Sequence, residues 1–195
     1  MFTHGKRIIL ASNSPRRREL LAGLDIDFTV DTGTSFVEEY SPDTPHAKVP
    51  ELMSEGKSLG FHRELADDEI LVTSDTMVLC GVEILGKPQD RADAVRMLRL
   101  LSGREHQVIT AVTIRDAHRK RTFSVSTDVY FKNLSDNEID YYIDNFRPFD
   151  KAGAYGIQEW IGYVGITRIE GSFYNVMGFP TQRFYEELQD FVLNR

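Results

Sequence analysis

The sequence predicts an α/β fold built on a mixed β-sheet, and three observations predict it. Short β-branched runs typical of buried strands occur at 7–11 and 70–80. Helix patterns with recognisable caps lie between and after these runs. Two further strand patterns, at 107–114 and 122–131, follow each other directly, as expected of antiparallel neighbours. Because strands and helices interleave irregularly, we expect a mixed sheet.

The first third of the chain should hold two strands, two helices and a loop. After the strand at 7–11, Ser14 and Pro15 open a helix, because serine is a favoured N-cap and proline a favoured first helical residue. Gly56 and Gly60 weaken a later helix pattern, since glycine disfavours helix interiors. The other predicted elements are a strand at 28–30, a proline-containing loop at 31–50 and that helix, at 51–61.

The strongest strand pattern in the chain is ILVTSDTMVLC, at 70–80, and a turn then leads to a short strand at 84–85. Asp90 is placed to cap the next helix, with Asp93 in position for a capping box. The remaining predicted elements are helices at 91–101, 135–145 and 181–193, and strands at 107–114, 122–131 and 163–169.

Length and cysteine content indicate one cytoplasmic domain. The 195 residues suit a single domain, 1–195, or one two-lobed unit. The single cysteine, Cys80, excludes an internal disulfide and fits a reducing compartment. The N-terminal residues lack the pattern of a signal peptide, and no apolar run reaches the roughly 18 residues of a membrane span.

The charge balance limits the class of partner. Acidic residues outnumber basic ones by 30 to 23, which gives a net charge of −7. A protein that follows a nucleic-acid backbone usually carries a basic face, so a long polyanion is disfavoured. A small anionic ligand is compatible with this charge, because a few cations can converge on it.

Ser12, Ser14, Arg16 and Arg17 stand where the first strand leads into a helix. A helix N-terminus exposes N–H groups and a partial positive charge, so acidic residues are favoured in its first turn. Two arginines there indicate a bound anion, because a phosphate would satisfy both the N–H groups and the guanidinium groups. The alternative is that the arginines extend into solvent. With two arginines after a Ser-Pro cap, we favour the anion site.

Asp75 lies at the polar centre of the strongest strand pattern, between Ser74 and Thr76. An aspartate in an apolar run costs free energy unless it is paired, hydrogen-bonded or bound to a metal. Ligand sites of α/β sheets lie where strands end, which fits Asp75 if a pocket opens there. The alternative is an aspartate that fixes a turn or caps a neighbouring helix, and the residues alone do not separate the two.

Three further segments give weaker indications. GVEILGK, at 81–87, has the spacing of a phosphate-binding loop, but Pro88 replaces the required Ser or Thr, so we reject that motif. Glu38 and Glu39 could hold Mg²⁺ or Mn²⁺, which prefer oxygen ligands, although a solvated acidic loop explains their spacing better. The small residues of DKAGAYGIQ, at 150–158, permit close approach to a ligand or a tight turn.

Six segments, in their order along the chain, resemble the Maf family of nucleotide pyrophosphatases. They span nearly the whole chain, and their combination is specific although no single piece is. The segments are LASNSPRRREL (10–20), SDTMV (74–78), LGKP (85–88), AVRMLRLLSGREHQVITAV (94–112), DKAGAYGIQ (150–158) and GSFYNVMGFP (171–180).

The resemblance implies a fold related to the inosine-triphosphate pyrophosphatases, with a long mixed β-sheet and helices in two lobes around a cleft. It puts the family's proposed general base on Asp75 and its acidic loop residue on Glu39, as ligand of a divalent cation, Mg²⁺ or Mn²⁺. The segment around Lys57, ELMSEGKSLG, departs from the family's usual LAxxKA pattern. The residues expected to bind the triphosphate are Ser12, Ser14, Arg16, Arg17, Lys57 and Lys87, and those expected to set base specificity are Arg16, Thr76 and Gln158.

AGAYGIQ resembles the branch of the family that prefers dTTP and UTP. We therefore expect an enzyme that cleaves these nucleotides to the monophosphate and pyrophosphate, by attack of water on the α-phosphorus. The resemblance also implies a homodimer. Two alternatives stay open: a pyrophosphatase of the sister branch that acts on 7-methyl-GTP, and a nucleotide-binding regulator of septum formation without turnover.

Overall fold

The chain forms two compact units in a computed structural model that describes residues 3–194. The first unit comprises the residues up to Asp75, then Thr110–Val125, and the residues from Gly178 onward. The second unit comprises Thr76–Ile109 and Ser126–Met177. The expectation of one two-lobed domain with a cleft stays a prediction.

Seven strands of the described residues belong to one sheet. They are β1 (Arg7–Leu10), β2 (Phe28–Val30), β3 (Glu69–Cys80), β4 (Glu83–Leu85), β5 (Glu105–Arg115), β6 (Lys120–Phe131) and β7 (Ile166–Glu170). Their order is β2-β1-β3-β5-β6-β7, and β4 pairs with β3.

The sheet is mixed, as the sequence predicted. β1 runs parallel to both β2 and β3, whereas β3 pairs with β4, and β6 with β7, in the antiparallel direction. Only residues 116–119 join the neighbouring strands β5 and β6. A parallel connection needs about a dozen residues or more, so these two strands form an antiparallel hairpin.

Seven α-helices lie within residues 3–194, and none of them is long and apolar enough to cross a membrane. They are α1 (Pro15–Ala22), α2 (Val49–Leu59), α3 (Arg91–Leu101), α4 (Asp136–Phe146), α5 (Trp160–Gly165), α6 (Phe173–Met177) and α7 (Thr181–Leu193). Short 3-10 turns occur at His46–Lys48 and Ala152–Ala154.

The predicted caps Ser14 and Asp90 are confirmed, whereas the capping box predicted with Asp93 is wrong, because the Asp93 carboxylate accepts from the backbone N–H of Gln89 instead. Ser14 accepts a hydrogen bond from the backbone N–H of Arg17 at the start of α1, with Pro15 as the first helical residue. Asp90 accepts one from the N–H of Asp93, at 2.8 Å, at the start of α3. Such caps satisfy N–H groups that have no partner inside the helix, and each is worth about 1 kcal/mol.

Each unit buries apolar side chains of its own. In the first unit, Ile8 and Leu10 of β1 and Ile70 of β3 are almost fully buried. In the second unit, Leu98 of α3 and Tyr142 of α4 are fully buried, where these two helices contact each other. Complete burial of a side chain such as leucine stabilises a fold by about 1.5–3 kcal/mol.

The strand predicted at 163–169 is wrong for residues 163–165, which belong to α5, and is confirmed for 166–169. Ile161 and Gly165, four positions apart, are the buried residues of α5, and this spacing puts them on one helical face. Gly162 lies so close to the Ile157 carbonyl that a β-carbon would not fit. The β-branched residues of this segment therefore resemble a strand, although its first three residues end a short helix that requires glycine at position 162.

Candidate active site

The turn between β1 and α1, together with the first turn of α1, carries four of the predicted phosphate-binding residues. Ser12 is buried, and its Oγ accepts a hydrogen bond from the backbone N–H of Ser14 at 3.2 Å. The first turn of α1 contains no acidic residue but does contain Arg16 and Arg17. The start of this helix thus combines the positive end of the helix dipole with two cationic side chains, an arrangement that attracts an anion.

Arg17 also has a structural role that the sequence did not reveal. Its guanidinium group donates to the carbonyl of Ser74 at 2.8 Å and to that of Gly178 at 2.9 Å. The side chain is half-buried, and burial lowers the pKa of the guanidinium group from its ordinary value. Arg17 therefore ties α1 to the residue before Asp75, and the alternative that both arginines extend into solvent is wrong for Arg17.

Asp75 forms an ion pair with Lys57. The Lys57 Nζ donates to Asp75 Oδ1 at 2.6 Å, and both side chains are mostly shielded from solvent, at 21% and 18% exposure. The burial of β3 decreases at Asp75 and Thr76, which are half-buried between fully buried neighbours. The aspartate is thus compensated by a cation, as an aspartate in an apolar strand requires.

Glu38 completes a cluster of three charged groups. The Lys57 Nζ contacts Glu38 Oε1 at 2.7 Å as well as Asp75, so one ammonium group lies between two carboxylates. Glu39, the residue predicted as metal ligand, is exposed. The structure brings Glu38 rather than Glu39 to Lys57, and the adjacent pair of glutamates was the only signal of this in the sequence.

Two glycines, Gly56 within α2 and Gly60 directly after it, allow the acidic loop to approach the helix. A β-carbon at Gly56 would collide with the Phe36 ring, and one at Gly60 would come within 2.9 Å of the Phe36 backbone nitrogen. The N–H of Ser35 donates to the Gly60 carbonyl at 2.8 Å. These glycines, which disfavoured the helix prediction, let Phe36 pack on α2 and so bring Glu38 towards Lys57.

Buried hydroxyl groups fix α2 against the sheet. Thr73 Oγ1 donates to the Ser54 carbonyl at 2.7 Å, and Ser54 Oγ donates to the Thr73 carbonyl at 3.2 Å. One turn later, Arg115 donates to the Ser58 carbonyl at 2.8 Å. Lys57 lies between these two attachments, and Asp75 lies two residues after Thr73. These hydrogen bonds therefore fix the backbone positions of Lys57 and Asp75, whose side chains form the ion pair.

The second unit carries Lys87, which is exposed and directly follows Gly86. The N–H of Gly153 donates to the Gly86 carbonyl at 3.0 Å. Gly153 has a positive φ of 70°, and a β-carbon there would come within 2.9 Å of Val78 Cγ2. Glycine is therefore required where the segment 150–158 packs against β3 and beside the segment of Lys87.

Gln158 and Thr76 are both half-buried residues of the second unit. The side-chain oxygen of Gln158 is buried, and no hydrogen-bond partner for it exists among the described residues. A buried acceptor that neither protein, water nor ligand satisfies costs about 1–3 kcal/mol, so a ligand that donates to this oxygen would recover that free energy. This observation supports Gln158 as a ligand-reading residue.

The charged cluster of the first unit suits a divalent cation that is shared with a ligand. Carboxylate oxygens of Glu38 and Asp75 already surround one cationic group, Lys57. Within residues 3–194 no group of three or more His, Cys, Asp or Glu side chains could hold a metal ion by itself. Mg²⁺ is commonly bound through one or two carboxylates, water and substrate phosphates, and Mn²⁺ likewise prefers oxygen ligands. The residues present fit such an ion.

Comparison with known proteins gives consistent results along nearly the entire chain. A family model described as "Maf-like protein" matches residues 7–191. A protein of Porphyromonas gingivalis named "dTTP/UTP pyrophosphatase" is 51% identical over 187 residues, which is 95% of this chain and 94% of the relative. A protein of the same name from Bacteroides thetaiotaomicron is 48% identical over 183 residues, or 94% of this chain and 95% of the relative.

Among solved structures, that of a HAM1 protein from Coxiella burnetii is similar with a TM-score of 0.48 and 11% identity. The similarity covers 97% of this chain and 100% of that chain.

Proposed function

We propose that this chain is an enzyme that cleaves dTTP and UTP to the monophosphate and pyrophosphate. The proposal starts from the fact that the chain belongs to the Maf-like protein family. The observation that carries the proposal is that about half of the residues are identical, over nearly the whole chain, to proteins named for this activity. The charged groups around Asp75 support it, because cleavage of a triphosphate needs cations and a group that directs water.

The triphosphate is proposed to bind to cations and to the start of α1. Arg16, Arg17, Lys57 and Lys87 would neutralise its negative charge, while the hydroxyl groups of Ser12 and Ser14 lie in the turn that leads into α1. Neutralisation matters because pyrophosphate leaves with a high negative charge. The absence of acidic side chains from the first turn of α1 supports this role.

Asp75 is proposed to orient and deprotonate the attacking water. The water oxygen forms a bond to the α-phosphorus, the bond from that phosphorus to the bridging oxygen breaks, and the proton passes to the Asp75 carboxylate. The bond from Lys57 to Asp75 Oδ1 supports the proposal, because it fixes the orientation of the carboxylate.

A divalent cation, Mg²⁺ or Mn²⁺, is proposed as cofactor. Glu38 and Asp75 would hold it together with substrate phosphates, and Glu39, the ligand expected from the sequence, stays the alternative. The contact of Lys57 with Glu38 at 2.7 Å supports the choice of Glu38. When bound, such an ion stabilises negative charge on phosphate oxygens.

Base selection is assigned to Gln158, with Thr76 and Arg16 as further specificity residues. An amide offers both a donor and an acceptor, which suits the carbonyl and N–H edge that uracil and thymine share. Cytosine presents a different pattern, so it would leave polar groups unpaired. The buried, unpartnered side-chain oxygen of Gln158 supports this assignment.

We propose further that the protein acts as a cytoplasmic homodimer. The homodimer follows from the family resemblance, and the cytoplasmic location from the single buried cysteine, Cys80, which fits a reducing compartment. Light scattering of the purified protein would measure the molar mass and so test the dimer.

A nucleotide panel with Mg²⁺ or Mn²⁺ tests the proposed activity, with pyrophosphate and phosphate measured separately. We expect pyrophosphate from dTTP and UTP at similar rates, with CTP and purine triphosphates as poor substrates. Much faster cleavage of 7-methyl-GTP would overturn the base preference alone. Tight nucleotide binding without pyrophosphate release would overturn the enzymatic activity and favour a nucleotide-binding regulator.

A further inference from the structure

We propose that Tyr142 is a positioning residue for base selection, which it controls by fixing the turn that carries Gln158. The inference rests on the proposed function, in which Gln158 reads the base. All residues involved belong to the second unit. Tyr142 lies on α4, in a part of the chain outside every segment that suggested the activity.

The Tyr142 hydroxyl group bonds to the turn on both sides of Gln158. It accepts a hydrogen bond from the backbone N–H of Gly156 at 2.9 Å, and it donates to the Glu159 carboxylate. Gln158 lies between these two attachment points. A single oxygen atom on a rigid helix therefore holds the turn at two places, two residues before Gln158 and one residue after it.

The environment of the hydroxyl group makes this attachment rigid. Tyr142 is fully buried, and its ring stacks on Phe146 with ring centres 5.3 Å apart. Burial and the neighbouring Glu159 raise the pKa of the Tyr142 hydroxyl, which keeps it protonated as a donor. A buried side chain held by packing loses little of its geometry to thermal motion.

Lys151 completes the arrangement from the other end of the turn. Its Nζ contacts Glu159 Oε1 at 3.0 Å, and the side chain is only 9% exposed. Lys151 also pairs with Asp150 at 2.7 Å. The Glu159 carboxylate thus receives a hydroxyl group on one oxygen and an ammonium group on the other, which fixes the residue after Gln158.

A specificity residue needs this kind of support because hydrogen-bond discrimination depends on geometry. The interaction of an amide with a base edge weakens when distance or angle changes, so a mobile Gln158 would accept a mismatched edge more readily. Loss of the Tyr142 hydroxyl would therefore reduce discrimination between bases more than it reduces overall turnover.

The test compares kcat/KM for dTTP with kcat/KM for CTP in Tyr142→Phe and in the wild type. The phenylalanine keeps the ring and removes only the hydroxyl group. We expect the dTTP/CTP ratio to fall about three- to tenfold, the effect of one lost hydrogen bond.

Tyr155→Phe is the matched control. The Tyr155 hydroxyl group is also buried in this turn, but it bonds to His106 Nε2 at 2.7 Å instead of to Gly156 and Glu159. The variant should lose a comparable amount of thermal stability and keep the wild-type ratio. An equal decrease of the ratio in both variants would reduce Tyr142 to a stabilising residue and overturn the inference.

Gly156→Ala provides a second route if Tyr142→Phe does not fold. The added methyl group would come within 3.0 Å of Glu159 Cδ and of Lys151 Cε. It therefore displaces the ion pair of Glu159 and Lys151 while the Tyr142 hydroxyl group is retained. The inference requires that the ratio falls here too. A Gly156→Ala enzyme with the wild-type ratio would contradict it.

A double-mutant cycle separates this inference from the proposed function. Gln158→Ala should lower the ratio by itself, and Tyr142→Phe should then cause no further change, because both act through one side chain. An unchanged ratio in Gln158→Ala would refute base reading by Gln158, and the inference with it. A lower ratio in Gln158→Ala together with an unchanged ratio in Tyr142→Phe would refute only the positioning role.

Discussion

At the scale of single residues, Asp75 is the side chain on which the proposed hydrolysis depends most. Asp75→Asn keeps an acceptor for Lys57 but removes the base, so kcat should fall about 10²–10⁴-fold. Affinity for dTTP, measured without a divalent cation, should survive, because a negative charge near the triphosphate is lost. Steady-state kinetics and equilibrium binding measure the two quantities separately. Undiminished turnover in a correctly folded variant would remove Asp75 from the mechanism.

The two arginines at the start of α1 should respond differently to truncation. Arg17→Ala removes the bonds to the Ser74 and Gly178 carbonyls, so the free energy of unfolding should fall by about 2–3 kcal/mol. The kcat/KM for the substrate should fall as well. Arg16→Ala should weaken substrate use with a smaller change in stability, since loss of a cation from a positive helix end is favourable. Denaturant unfolding and kcat/KM check both variants. Equal stability of the two would contradict the structural role of Arg17.

The sequence indicated candidate site residues, whose roles stay predictions, but it did not indicate their contacts. Ser14, Arg16 and Asp75 were identified from local patterns, because caps and buried charges have local causes. The bonds of Arg17 join residues 57 and 161 positions apart, which no local pattern reveals. For the same reason the sequence did not distinguish Glu38 from Glu39, since only the fold decides which carboxylate meets Lys57.

At the scale of elements, the attachment of α2 to β3 determines where Lys57 lies. Thr73→Val removes the bond to the Ser54 carbonyl in a fully buried position, which should cost about 1–3 kcal/mol of stability. The substitution should also lower kcat several-fold, because Lys57 lies one turn after Ser54 on α2 and its position depends on this attachment. Ser135→Ala is the control: it removes the cap of α4 at a cost of about 1 kcal/mol and should leave kcat unchanged. Equal kcat in both variants would make the attachment purely stabilising.

The elements that the sequence predicted well have signals within a few residues of their ends. α3 and α7 have the predicted bounds, and α3 also has its predicted cap at Asp90. The helix α5 was missed, because a β-branched run resembles a strand and the sequence does not show how closely the backbone of Gly162 approaches the Ile157 carbonyl. The short helix α6 gave no recognisable cap or periodicity either.

At the scale of the whole molecule, two predictions from the sequence are confirmed: the α/β fold with a mixed sheet and the membership of the Maf family. The net charge of −7 argues against an extended nucleic-acid partner. A nucleotide-binding regulator would need the same cations as an enzyme. The two differ only in whether water attacks the bound triphosphate.

Attack of water on the α-phosphorus can be tested by hydrolysis of dTTP in ¹⁸O-labelled water, with both products analysed by mass spectrometry. Attack on the α-phosphorus puts one ¹⁸O atom into dTMP and none into pyrophosphate, and we expect that result, with the rate strongly reduced in Asp75→Asn. Label in pyrophosphate would mean attack on the β-phosphorus. That result, or dTDP and phosphate as the products, would contradict the account.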